Sequence, residues 1–68
     1  MEFGKWLREK RISKRLTYQQ VADAVGTSKS QVYEIETGKN VMFSVDMAKR
    51  LAGAVGYKLS TALRQIGE

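Results

Sequence analysis

The side chains with the most chemistry to offer lie in residues 17–38, TYQQVADAVGTSKSQVYEIETG, where Lys29, Ser30, Tyr33, Glu34 and Thr37 recur at a helical spacing that places them on one outward row. A lysine or serine there can address guanine acceptors and mixed base edges, and a glutamate can accept from a cytosine amino group. The same residue types serve poorly for catalysis. The sequence has no histidine and no cysteine, which removes the commonest general base, the usual zinc ligands and any disulfide. No convergent carboxylate pair stands in for them. The expected chemistry is therefore recognition, with no enzymatic role, no cofactor and no metal.

Positioning such a row takes two helices, and the sequence marks both. Thr17 is followed three residues on by Gln20, and Ser28 by Gln31; each pair has the pattern in which a hydroxyl and an amide satisfy the orphan N–H groups of a helix start. Gly26 lies between them and is suited to a left-handed turn that ends the first helix near Val25. Val21, Ala22 and Val25 share one face of the first helix, and Val32 and Ile35 share one face of the second, so both meet the same core. Ala22 is small where the helices would cross. The pattern is that of a helix-turn-helix whose second helix reads DNA.

Residues 2–14 read as a preceding helix, with Phe3 and Leu7 facing inward and Trp6 partly so. Arg11 continues this inward line where a hydrophobe would be expected. A buried charge needs a partner, and Glu36 at the end of the reading helix is the candidate, so an ion pair is expected to join the two. Leu16 is expected in the core, and Arg15 stands in a link where glycine would usually close a helix.

Beyond Gly38, Lys39 and Asn40 sit where the chain leaves the reading helix. Val41, Met42 and Phe43 follow, three consecutive apolar residues in a loop that cannot all point inward. Ser44 caps a helix over residues 45–55 with an apolar stripe of Met47, Ala48, Leu51, Ala52 and Val55, ended by Gly56. The tail fits either a helix carrying Leu59, Leu63 and Ile66 or a strand alternating Tyr57, Leu59, Thr61 and Leu63. Helix is preferred, although Lys58 is a poor cap for it.

The chain has 68 residues, room for one small domain spanning residues 1–68 that buries roughly 60% of its unfolded surface. Twelve lysines and arginines against seven acidic residues give a net charge of +5 and a pI near 9.8, in the range where a small domain is suspected of binding nucleic acid. Lys5, Arg8, Lys10, Arg11, Lys14 and Arg15 crowd the first helix and its link. The N-terminus lacks a signal peptide's apolar segment, and no run approaches the ~20 apolar residues of a membrane span. A cytoplasmic location away from membranes is expected.

Over about residues 3–63 the chain resembles the helix-turn-helix family of phage Cro proteins and lambda-type repressors, also called the xenobiotic-response-element family. The likeness rests on LREKRISKRLTYQQVADAVGTSKSQVYEIETGK, in which Ala22, Gly26, Val32 and Ile35 hold the family's small residue, turn glycine and two core hydrophobes. It implies an all-α, compact five-helix bundle with residues 28–37 as the helix in the major groove, and an arginine–glutamate pair at Arg11 and Glu36. Carried over by position, base contacts fall on Lys29, Ser30 and Glu34, with Tyr33 beside them on the outward row. Phosphate contacts fall on Tyr18, Thr27, Lys39 and Asn40, with Ser28 at the helix start. Tyr18 stands where the family usually has glutamine, Thr27 replaces a common hydrophobe, and Glu34 brings a negative charge to the groove.

The expected function is sequence-specific binding of double-stranded DNA by a transcriptional regulator, most simply a repressor that acts as a homodimer on a palindromic operator. Val41, Met42, Phe43, Leu63 and Ile66 exceed what one small core can take and are the expected dimer interface. The alternative is an antitoxin-type DNA-binding protein whose C-terminal segment engages a protein partner.

Overall fold

Five helices follow one another in the computed structural model, which describes residues 3–67: α1 (Phe3–Ser13), α2 (Tyr18–Val25), α3 (Lys29–Thr37), α4 (Val45–Ala54) and α5 (Leu59–Gly67). Glu2, where the first helix was expected to begin, lies outside the described residues. The tail is helical, and there is no strand among the described residues. Its amphipathic spacing prevails over the weak start at Lys58: the Lys58 carbonyl accepts the first helical bond from Ala62 at 3.0 Å, and Ala62 is buried in the core.

Capping sets the helix starts. At α2 the box is complete: the Gln20 backbone N–H donates to Thr17 Oγ1 at 3.0 Å, and the Thr17 N–H donates to Gln20 Oε1 at 2.8 Å. At α3 only half the expected box forms. The Gln31 N–H donates to Ser28 Oγ at 3.1 Å, but the Gln31 side chain accepts from the Thr27 hydroxyl instead of turning back to the cap. Thr27 precedes the cap by one residue and offers the amide a competing donor. Ser44 caps α4 by accepting from the Met47 N–H at 3.0 Å.

The turns behave as their residues dictate. Gly26 closes α2 at φ 83°, and its N–H donates to the Ala22 carbonyl at 2.8 Å. Arg15 takes the left-handed conformation at φ 58° that glycine would adopt freely, at a cost of roughly 1–2 kcal/mol for an L-residue.

The core collects Leu7, Val21, Ala22, Val25, Val32, Ile35, Leu51, Ala52, Val55 and Ala62 around Trp6, which is 1% exposed and not merely partly inward. Its indole N–H donates to Gln65 Oε1 at 2.8 Å, tying α1 to α5. Leu16 is half-buried against this core, as are Met47 and Ile66. α3 packs against both α1 and α2, α4 against α2 and α5, and α1 against α5.

Gly4 explains how closely α1 approaches α3. It is buried, and a Cβ at its position would lie 2.1 Å from the backbone carbonyl oxygen of Ile35. Only glycine fits that contact.

Candidate nucleic-acid interface

α3 is anchored by its inward face, and that anchoring determines what its outward face presents. Val32 and Ile35 are buried, as is Glu36. Arg11 meets Glu36 with two of its three guanidinium nitrogens: Nε donates to Oε2 at 2.8 Å and Nη2 to Oε1 at 3.1 Å. The third, Nη1, donates to the Leu16 carbonyl at 2.8 Å. The ion pair inferred from the sequence therefore forms, with the Glu36 side chain fully enclosed, and it fastens α1, α3 and the link between α1 and α2 at one point. Hydrogen bonding to Glu36 raises the Arg11 guanidinium above its usual pKa range, outweighing the opposing effect of burial. No buried side-chain nitrogen or oxygen among the described residues lacks a partner.

Over this pair lies Tyr18, whose ring centre is 4.1 Å from the Arg11 guanidinium carbon. Tyr18 in turn meets Tyr33 edge-on, with ring centres 5.6 Å apart and planes at 79°. Lys39 Nζ is 5.7 Å from the Tyr33 ring centre. A continuous stack thus runs from the buried carboxylate of Glu36 through Arg11, Tyr18 and Tyr33 to Lys39. The spacing that located Arg11 and Glu36 carried no signal for the stack, because an aromatic ring at the first position of α2 reads equally well as solvated.

Six of the side chains singled out from the sequence converge. Tyr18, Lys29, Ser30, Tyr33, Glu34 and Lys39 line one open groove of about 400 Å³. Lys29, Ser30, Tyr33, Glu34 and Lys39 are exposed, and Tyr18 is half-buried. The ion pairs among the described residues are Arg11–Glu36 and Arg50–Asp46, so Lys29, Glu34 and Lys39 keep their charges available at this surface.

The other candidates are placed differently. The Ser28 hydroxyl is exposed and spends a lone pair on its cap bond. Thr27 is half-buried and donates to Gln31, which commits its hydroxyl proton. Asn40 turns the chain after α3: its backbone N–H donates to the Glu34 carbonyl at 3.1 Å, and its Oδ1 accepts from the Met42 N–H at 3.0 Å. Its amide NH₂ remains as a donor. Thr37 folds back on its own helix, donating to the Tyr33 carbonyl at 2.9 Å.

The loop hydrophobes divide. Met42 is 88% and Val41 70% exposed, whereas Phe43 packs against Phe3 with ring centres 5.5 Å apart. Leu63 is exposed, as is Val45 at the start of α4, and Ile66 turns toward the core. Val41, Val45 and Leu63 border a groove of about 310 Å³ floored by Phe3, Phe43 and Leu59. Sequence reasoning missed Val45 because it was counted as the first residue of a core-facing helix.

No helix among the described residues is long and apolar enough to cross a membrane. Among curated proteins, none matches this chain. A family model described as a helix-turn-helix domain matches residues 2–65, a span that takes in all five helix starts and the whole of the groove between α2 and α3. The chain belongs to the helix-turn-helix domain family.

Proposed function

We propose that this protein is a sequence-specific, double-stranded-DNA-binding transcriptional regulator of the Cro and lambda-repressor type, in which residues 1–68 form a single reading domain and α3 enters the major groove. The observation that carries the reading is the convergence of Lys29, Ser30, Tyr33 and Glu34 on the outer side of a helix whose inner side is fixed by a buried ion pair. Lys29 and Ser30 address base edges at the start of α3, and Glu34 accepts from a cytosine amino group one turn later. Phosphates are held by the positive N-termini of α2 and α3, with Tyr18, Ser28, Lys39 and Asn40 alongside, whereas Thr27 has its hydroxyl proton and backbone N–H committed within the fold.

The longest dimension of the fold is 28 Å, less than the roughly 34 Å of one DNA turn that separates paired half-sites. One copy reads one half-site. A homodimer on a palindromic operator supplies the second, joined through the exposed Val41, Met42 and Leu63 and without Phe43 and Ile66, which pack inward, and its occupancy represses transcription by blocking the site. The reading implies a cytoplasmic protein that needs no cofactor.

Binding-site selection from random duplexes tests it. Enrichment of a palindromic motif is the expected result. Uniform weak binding would favour the antitoxin-type alternative, in which the apolar surface serves a protein partner.

A further inference from the structure

Among the hydrogen-bonding groups on the outward row of α3 there is one large apolar surface, the Tyr33 ring, which is 43% exposed. A tyrosine on a helix surface ordinarily exchanges rotamers freely. This one is propped: the Tyr18 ring abuts it at 5.6 Å, Tyr18 lies on the Arg11 guanidinium, and Arg11 is held in place by Glu36. The prop leaves part of the ring open to the groove that Lys29, Ser30 and Glu34 also line.

We propose that the Tyr33 ring is the contact surface for the C5-methyl group of a pyrimidine, so that the protein distinguishes a methylated from an unmethylated C5 position in its site. The inference rests on α3 facing the major groove, where the C5-methyl is the apolar feature of the base edges and is read by apolar contact. Glu34, beside Tyr33, offers an acceptor suited to the cytosine amino group, which neighbours C5 on the same edge. Two bases carry this methyl group, thymine and 5-methylcytosine. Both present it at the same place, and the test below separates them.

The motif enriched by selection is prepared with deoxyuridine replacing each thymidine in turn, and separately with 5-methyldeoxycytidine replacing each deoxycytidine. Both sets are titrated with the wild-type protein, Tyr33→Phe, Tyr33→Ala and Lys29→Ala. At one position per half-site the methyl group should change wild-type affinity about fourfold, the value for burying one methyl-sized group. Loss with deoxyuridine identifies thymine as the source, and gain with 5-methyldeoxycytidine identifies methylated cytosine. The dependence should persist in Tyr33→Phe, which keeps the ring, and in Lys29→Ala, which removes a different outward group. It should vanish in Tyr33→Ala, whose thermal midpoint should fall only slightly through loss of the edge-on contact with Tyr18, with the fold retained. A motif without methyl dependence, or a dependence that survives Tyr33→Ala, overturns this inference and leaves the DNA-reading function standing. Absence of any enriched motif overturns both.

Discussion

The polar face built by α2 and α3 and the apolar face around residues 41–45 and α5 are both exposed, but only the first is backed by a buried ion pair among the described residues. Beneath the polar face, Arg11 and Glu36 form a two-pronged buried pair, Gly4 lets α1 press against the Ile35 backbone, and Tyr18 transmits that rigidity to Tyr33. On the apolar face, the Met42 backbone is held by Asn40 while its side chain stands 88% exposed. Reading a base edge requires donors and acceptors held to within a fraction of an ångström, whereas association through apolar area is non-directional. A polar row braced by a buried ion pair and an apolar patch of exposed side chains therefore suit two different tasks, recognition and assembly.

Removing the support should break the first face most severely. Glu36→Ala leaves the Arg11 charge buried without its partner and should cost about 3–5 kcal/mol, measured as a large fall in thermal midpoint with loss of DNA binding. Because Glu36 raises the Arg11 pKa, the stabilisation linked to Arg11 is fully present below the ordinary arginine range and is lost only as pH rises past the elevated folded value. The difference between wild type and Glu36→Ala should thus show no contribution from Arg11 titration near neutrality. Equal melts would mean that the pair does not hold α3.

A smaller loss is expected from Gly4→Ala. The added Cβ meets the Ile35 carbonyl oxygen at 2.1 Å, backbone that cannot swing aside, so α1 must lift from α3 at a cost of about 1–3 kcal/mol. Alanine's better helix propensity offsets up to about 1 kcal/mol of this. Urea unfolding would measure the balance, and a net gain in stability would show that the close approach is not maintained.

The apolar face should behave in the opposite way. Met42→Lys combined with Leu63→Lys changes exposed side chains and should alter folding stability by no more than about 0.5 kcal/mol per site, yet abolish dimers in sedimentation. A variant pair that stays dimeric would move the interface elsewhere, and one that unfolds would make the patch part of the core.

What the sequence disclosed about these faces depended on range. Thr17, Ser28 and Ser44 announce helix starts because a cap is satisfied within three residues, and all three cap in the structure. Arg11 and Glu36 were legible across 25 positions because a charge at an apolar phase of a helix demands an answer. Gly4 could have been suspected, since glycine inside a helical pattern often marks a close contact, but nothing local says that the contact is Ile35. The Trp6–Gln65 bond spans 59 residues and joins two helices whose pairing no local pattern specifies. The switch of Gln31 from its cap to Thr27 shows a further limit: two acceptable hydrogen-bond partners were in reach, and residue types alone do not choose between them.

The central claim, that α3 reads bases while its flank holds the backbone, is tested most directly by titrating Lys29→Ala and Lys39→Ala against the selected duplex and a scrambled one at several salt concentrations. Lys29 belongs to the first turn of α3, and Lys39 lies beyond its end. Lys29→Ala should cost about 1–3 kcal/mol on the selected duplex and relax preference at one base pair per half-site, with little effect on the scrambled one. Lys39→Ala should weaken both duplexes about equally and make the salt dependence shallower by roughly one unit for each phosphate the protein ceases to neutralise. Equal weakening on both duplexes for Lys29→Ala, together with altered sequence preference for Lys39→Ala, would contradict the placement of α3 in the groove.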